Sequence, residues 1–192
     1  YAFTIGYQRR SLGNVQILKN IVQTNLFGQV KKILIEFGDI HYSFDNFRAQ
    51  KSIAGGGILF ESGSHWIDTV LFFSNAVDLN NFSSEIKYED GLDVYGEGVF
   101  NIQKFKNETI NCEFKFSSIT NTSNKITVIF ENMTIDLYLY DNNSNLIVKN
   151  KDSRKFILND FNMGNYPNDS ISQSASYWQN FLTCFKEKKQ SY

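Results

Sequence analysis

Short runs of alternating apolar and polar residues fill the chain after about residue 80, and they restrict the possible fold more than any other feature. In TINCEFKF the apolar side chains recur at every second position, which places them on one side of an extended strand: Ile110, Cys112, Phe114 and Phe116. The runs KITVIFEN, MTIDLYLYD and NLIVKN follow, and turn residues separate them. Successive hairpins of this kind predict an antiparallel sheet with one apolar face.

The first 80 residues combine strand patterns with two helical patterns. Strands are predicted over YAFTIGYQRR at 1–10 and over QVKKILIEFG, continuing toward Phe44. A helix is predicted from Ser11, because SLGNVQILKNIVQTN has one apolar stripe. The stripe consists of Leu12, Val15, Leu18, Ile21 and Val22. A second helix is expected after the glycines at 55–57.

A closing helix is predicted at about Ser172–Lys188, with an apolar stripe of Tyr177, Phe181, Leu182 and Phe185. The order of elements predicts an α+β fold, in which a largely antiparallel sheet has its helices packed on one face. The other sheet face is expected to be open and half apolar, since Tyr138, Tyr140, Ile129 and several threonines fall on it. Such a face is typical of subunit contacts, so we expect a homo-oligomer through the sheet face.

Size and charge exclude several classes of partner. The 192 residues suit one domain. Lys plus Arg total 19 against 20 Asp plus Glu, and the net charge of −1 gives no electrostatic basis for binding nucleic acid or an anionic membrane. The longest apolar run, at 66–73, is too short for a bilayer and is broken by Asp68. Because Cys112 and Cys184 form no disulfide framework, the sequence predicts a soluble, cytoplasmic protein.

Residues 54–73 read AGGGILFESGSHWIDTVLFF and place charged groups on an otherwise apolar helix. Glu61, His65 and Asp68 follow at spacings of four and three, so on an α-helix they lie within about 60° of one another. Three interpretations fit the spacing. The residues form a polar seam on the helix surface, a metal site, or an acid–base pair in which a carboxylate orients an imidazole. A metal site needs a third ligand, and the only other histidine is His41.

The three glycines at 55–57 precede this helix. They permit close approach to the backbone, and their position predicts free N–H groups at the helix start. They do not form a nucleotide phosphate loop, because no Lys-Ser/Thr follows and GxGxxG occurs nowhere in the chain.

The run GGGILFESGSHWID resembles the signature G-G-G-x-L-x-D-x-G-x-H-x-x-D of the Gfo/Idh/MocA oxidoreductases, the glucose–fructose oxidoreductase and inositol dehydrogenase group. Further segments are similar to this family: GYQRR at 6–10, NLFGQVKKI, the aromatic-Arg pair at 47–48, and YWQNFLTCFKE near the end. Glu61 stands where the family signature has Asp.

The resemblance implies a two-part enzyme, with a Rossmann domain that holds NAD or NADP and a C-terminal α+β domain that contributes to a sugar or polyol pocket. Residues 1–192 resemble the second part only, so we expect the Rossmann domain to be absent from this chain, and we expect no cofactor-binding residue and no metal site in it. The implied function is the substrate-binding and catalytic-histidine domain of an oxidoreductase for a sugar, a polyol or a nucleotide-sugar.

The resemblance also assigns roles to single residues. His65 is implied to be the acid–base residue that takes the hydroxyl proton, and Glu61 is implied to orient it or to bind a substrate hydroxyl. The remaining candidates are substrate contacts, namely Tyr7, Arg9, Arg10, Gly56, Gly57 and Asp68, of which Asp68 has a more structural role in the family. Two alternatives remain: a non-catalytic ligand-binding or assembly module, and a metal-dependent hydrolase that uses Glu61 and His65.

Overall fold

The computed structural model describes residues 6–40, 47, 50–104, 108–139, 146–152, 154–158 and 170–187. The strands are β1 Val30–Gly38, β2 Asp78–Glu89, β3 Leu92–Gln103, β4 Thr109–Ser117, β5 Lys125–Phe130, β6 Met133–Tyr138, β7 Leu146–Asn150 and β8 Lys155–Leu158. The helices are α1 Gly13–Gln23, α2 Lys51–Ala54, α3 Ser64–Ser74 and α4 Ser170–Glu187. A 3₁₀ turn at Gln8–Ser11 precedes α1, and a π-helical turn at Leu59–Gly63 precedes α3.

The strands form one sheet with the spatial order β2-β3-β4-β1-β5-β6-β7-β8. Strand β1 lies between β4 and β5, parallel to β4 and antiparallel to β5. The other neighbouring strands pair antiparallel, as hairpins do. The β2–β3 hairpin turns at Asp90 and Gly91, both at positive φ, which matches the right-handed twist of the strands. The predicted α+β class with a largely antiparallel sheet is confirmed.

The core lies between the helices and one face of the sheet. The four alternating residues of β4, from Ile110 to Phe116, are buried there, as is the predicted apolar stripe of α1. Helix α3 adds Trp66, Val70 and Phe73, which are fully buried. Full burial of side chains of this size contributes about 1.5–3 kcal/mol each, so α3 is fixed firmly along its length.

The chain start differs from its prediction. Residues 1–5 lie outside the described residues, and the predicted strand is replaced by the 3₁₀ turn from Gln8 onward. The backbone N–H groups of Arg10 and Leu12 donate to the carbonyls of Tyr7 and Arg9, which closes the turn. Side-chain contacts of Arg9 and Arg10 with α3 favour this turn over an extended strand.

The end of β1 and the burial of one α4 side chain also differ from their predictions. Strand β1 ends at Gly38, where Asp39 N–H donates to the carbonyl of Ser117, and Phe44 lies outside the described residues. In α4 the predicted burial is confirmed for Tyr177 but is wrong for Leu182, which is 53% exposed.

Within the described ranges, no helix has the length and apolar content needed to span a membrane.

The open face of the sheet carries more charge than the sequence suggested. Ile129 and Tyr138 are half-buried on it, whereas Tyr140 lies outside the described residues. Lys32 and Glu113 form an ion pair of 2.6 Å on neighbouring strands. A groove of about 590 Å³ runs over this face, and its lining includes acidic and basic side chains on six strands. The face therefore combines apolar side chains, such as Val99 and Ile129, with charged residues that alternate in sign across neighbouring strands.

Candidate functional site

The helix that carries His65 begins at the three glycines. Gly55 ends α2 at φ +79°, a left-handed conformation that glycine adopts without strain. Gly57 lies against β3 so closely that an added Cβ would stand 2.1 Å from the carbonyl oxygen of Asp93. Only glycine fits here, because the backbone of the helix entry contacts the backbone of the strand.

The N–H groups at this helix start are not free. The Asp93 carboxylate accepts hydrogen bonds from Gly57 N–H at 2.5 Å and from Leu59 N–H at 2.6 Å. These groups would otherwise lack partners, since the first turn of a helix has none within the helix. The prediction of free N–H groups is wrong, because a buried side chain of the protein already occupies their position.

Glu61 and His65 lie on one continuous helix, but its first turn is π-helical. Glu61 is in the middle of this turn, whereas His65 is in the first turn of α3. A π turn contains one more residue than an α turn, so the angle of about 60° expected from regular α-helical spacing does not describe Glu61. Such turns occur frequently at functional sites.

The His65 side chain is half-buried, and its ring stands edge-on to the Tyr7 ring with centroids 5.5 Å apart. Its Nδ1 atom is buried and has no hydrogen-bond partner among the described residues. Burial lowers the pKa of His65, and the nearby Arg9 charge lowers it further. Asp68 and Glu61 oppose this with smaller contributions. The imidazole is therefore neutral at pH 7, the form that accepts a proton.

Asp68 and Arg10 form a two-pronged ion pair beside His65. Arg10 Nε donates to Asp68 Oδ2 at 2.9 Å, and Arg10 Nη2 donates to Asp68 Oδ1. The hydrogen bond to Asp68 raises the pKa of Arg10. The guanidinium carbon also lies 5.5 Å from the ring centroids of both Tyr7 and Phe72. This arrangement fixes the 3₁₀ turn to α3.

Arg9 lies over the buried Trp66 ring, with 5.1 Å from its guanidinium carbon to the ring centroid. The structure thus brings the predicted residues of the chain start, Tyr7, Arg9 and Arg10, onto α3 beside His65 and Asp68. Glu61 lies in the preceding π turn of the same helix, and Gly56 and Gly57 lie just before that helix begins. Of the predicted site residues, direct contacts therefore join Tyr7 to His65 and Arg10 to both Asp68 and Tyr7.

Asp93 was missed by the sequence analysis. It lies 36 residues after Gly57 in sequence, at the start of a hairpin strand, and its spacing from the helix follows no motif. Among the described residues, no group of three His, Cys, Asp or Glu side chains is arranged to hold a metal ion. His41, the third ligand that a metal site required, lies outside the described residues.

The fold is shared with about half of the chain of several solved oxidoreductases. An inositol dehydrogenase homolog complexed with NAD⁺ from Azotobacter vinelandii aligns with a TM-score of 0.77 at 12% identity, over 95% of this chain and 54% of that one. Levoglucosan dehydrogenase in complex with NADH and levoglucosan aligns with a TM-score of 0.74 at 12% identity, over 97% and 57%. An aldose-aldose oxidoreductase from Caulobacter crescentus complexed with glycerol aligns with a TM-score of 0.74 at 13% identity, over 97% and 54%. The chain spans about half the length of these proteins.

The sequence gives the same result at the level of the family. The sequence profile of the GFO/IDH/MocA C-terminal domain matches residues 15–136, a span that contains Glu61, His65, Asp68 and Asp93. The chain belongs to this family. A search of curated proteins by sequence gives no match.

Proposed function

We propose that this chain is the substrate-binding and catalytic-histidine domain of an NAD(P)-dependent oxidoreductase that acts on a sugar, a polyol or a nucleotide-sugar. The observation that carries the proposal is the His65 side chain, a half-buried imidazole whose pKa is lowered by burial and by Arg9. It lies within the span that matches the family. The names of the similar structures, an inositol dehydrogenase homolog and a levoglucosan dehydrogenase, support a polyhydroxylated substrate.

In this mechanism His65 accepts the proton of the substrate hydroxyl as general base. The accepting atom is Nε2, because Nδ1 is buried away from any ligand. Arg9 disfavours the imidazolium before substrate binds, and the Glu61 and Asp68 carboxylates stabilise it as it forms. The Tyr7 ring restricts the orientation of the imidazole. A general base of this kind contributes about 10²–10⁴ in rate.

The nicotinamide, when bound, supplies the acceptor for the hydride of the same carbon. The glycines before α3 do not suit the cofactor phosphates, because Asp93 already takes the Gly57 and Leu59 N–H groups and would repel a phosphate. This supports binding of NAD or NADP by a separate Rossmann domain, in the same polypeptide or in another. The proposed place of action is the cytoplasm. Arg9, Glu61 and Gly56 are the proposed contacts to substrate hydroxyls.

The open sheet face is the proposed surface for a homo-oligomer. The charged side chains on neighbouring strands of this face, in its ion pairs and along its groove, alternate between acidic and basic. A second copy rotated by 180° can therefore place unlike charges opposite one another. Replacing both Lys115 and Lys125 with Glu should lower the sedimentation coefficient from that of a dimer to that of a monomer. The matched change of two exposed lysines on helices away from this face, K51E with K186E, should leave it unchanged. A wild-type monomer at high concentration would contradict this part of the proposal.

The test of the enzyme function uses the chain together with its Rossmann domain. His65→Asn removes the titratable group and should lower kcat by about 10²–10⁴ while KM changes little. The control is the same substitution at the other histidine, His41→Asn, which should leave kcat unchanged. Equal activity of His65→Asn and the wild type would overturn the proposal and favour the non-catalytic module. Activity that instead depends on an added metal ion and falls in H41N would favour the hydrolase.

A further inference from the structure

The helix that carries His65 is fixed at two places. Toward its C-terminal end, Trp66, Val70 and Phe73 are fully buried in the core. At its N-terminal end, the Asp93 carboxylate bonds to the N–H groups of Gly57 and Leu59. The helix cannot rotate about its axis at either end without losing these contacts.

The π turn lies between these two fixed places. It spans Leu59–Gly63, so it begins at Leu59, the second residue bonded to Asp93, and ends directly before the turn that contains His65. A π turn accommodates one extra residue in a helix, and it is rare because an α turn is more stable. If the N-terminal end were released, the turn could relax to an α turn. That change would rotate the preceding residues by about 100°, the angle of one residue.

Strand β3 supports the helix entry by direct packing as well. An added Cβ at Gly96 would stand 2.6 Å from Leu59 Cδ1, and one at Gly57 would stand 2.1 Å from Asp93 O. The glycines therefore let β3 and the helix entry approach closely enough for the short Asp93 side chain to reach two N–H groups. A carboxylate at this position also interacts favourably with the positive end of the helix dipole.

We propose that Asp93 is a positioning residue, whose carboxylate holds the π turn and thereby sets the position of Glu61 relative to the His65 imidazole. The inference rests on the proposed function of His65 but concerns a contact that can be measured without catalysis. Asp93 does not touch the imidazole. It acts through the backbone of residues 57–61, which connects the bonded N–H groups to Glu61.

The coupling between Glu61 and His65 tests this role directly, and NMR titration of the imidazole in the 192-residue chain measures it. His41→Asn removes the second histidine signal and serves as the background for all variants. The charges that face His65 are Arg9, Asp68 and Glu61, and Glu61 raises the pKa of His65. Glu61→Gln should therefore lower this pKa when the π turn is intact. In Asp93→Asn the same Glu61→Gln change should leave the pKa unchanged, because Glu61 has moved.

Asp78→Asn is the matched control, since Asp78 is exposed on the neighbouring strand β2 and, within the part of the chain that the structure describes, accepts the N–H of Leu79. It should retain the full Glu61 effect. An equal Glu61 effect in Asp93→Asn and wild type would overturn the proposal, as would a wild-type chain in which Glu61→Gln has no effect. If Asp93→Asn does not fold, the same comparison in Asp93→Thr decides, since threonine suits a strand and retains one acceptor. If His65 proves not to be catalytic, these titrations still report the position of Glu61. Failure of the proposed function and failure of the Asp93 proposal are therefore distinguishable.

Discussion

Two buried aspartates lie on opposite sides of the sheet, and their surroundings differ. Asp68, on α3, is 6% exposed, and Asp136, on β6 at the open face, is 1% exposed. Both are paired with cations, as a buried carboxylate must be to remain charged. The comparison sets an ion-pair network on the open sheet face against one that borders the proposed general base.

Asp136 is surrounded by a complete set of donors. Thr127 donates at 2.7 Å, Lys125 at 3.4 Å, and Lys149 donates to the same carboxylate. Burial raises the pKa of Asp136, but the Lys149 and Thr127 hydrogen bonds and the lysine charges outweigh it and hold the pKa below its ordinary value. Because every partner is satisfied, this network stabilises the sheet.

Asp68 has one rigid partner, Arg10, and an incompletely bonded neighbour, His65. The imidazole Nδ1 is buried without a partner among the described residues, at a cost of about 1–3 kcal/mol. The two aspartates therefore differ in their neighbours: Asp136 is bonded by a threonine and two lysines, whereas Asp68 lies beside an imidazole with a buried nitrogen that has no described partner.

Removing Asp68 should have the largest effect on stability. Asp68→Ala leaves the Arg10 guanidinium partly buried without its carboxylate and should lower the free energy of unfolding by about 3–5 kcal/mol, measured by urea denaturation. The double variant Arg10→Ala/Asp68→Ala should lose less than the sum of the two single variants, because the ion pair is then removed as a whole. Additive losses would show that the ion pair does not stabilise the contact between the 3₁₀ turn and α3.

Removing the Asp136 charge should cost less, because its lysine partners can turn toward water. Asp136→Asn should lower the free energy of unfolding by about 1–3 kcal/mol at pH 7. The folded pKa of Asp136 lies below the unfolded one, so its contribution is present above about pH 4 and is lost as the pH falls through the folded pKa. The wild type should therefore lose stability more steeply than Asp136→Asn below about pH 4. Parallel curves for the two proteins would contradict this.

Some elements of this structure could be predicted from the sequence, and others could not. The antiparallel sheet and the α1 stripe follow from periodicity, because a period of two or 3.6 residues decides which side chains are buried. The signature around His65 predicted the site helix. Asp93 could not be predicted, because only the pairing of β3 within the sheet brings it to Gly57. The Arg10–Asp68 pair likewise depends on a 3₁₀ turn where the local pattern favoured a strand.

The stability of the wild type should depend on His65 near neutral pH. The folded pKa of His65 is lowered, so below about pH 6.5 the unfolded state binds more protons and stability decreases as the pH falls toward the folded pKa. In His65→Gln this dependence should disappear between pH 6.5 and the folded pKa. Denaturation curves of the two proteins at several pH values measure the difference, and an identical pH dependence would show that the imidazole is not desolvated.

The smallest change is expected from the charge of Arg9. Arg9→Gln should raise the pKa of His65, because a nearby positive charge is removed while burial is largely kept. Lys31→Gln, which removes a cation from the exposed Lys31–Glu131 pair on β1, is the control and should leave the pKa unchanged. NMR titration of the imidazole measures both. An unchanged pKa in Arg9→Gln would show that burial alone lowers the value.

The pH dependence of kcat/KM for alcohol oxidation, measured with the Rossmann domain present, tests the proposed role of His65 most directly. The account predicts an acid limb whose apparent pKa lies below the ordinary histidine value, since the neutral imidazole must be present to accept the hydroxyl proton. In His65→Asn the rate should be low and this limb should be absent. An acid limb that persists unchanged in His65→Asn would contradict the assignment of His65 as the general base.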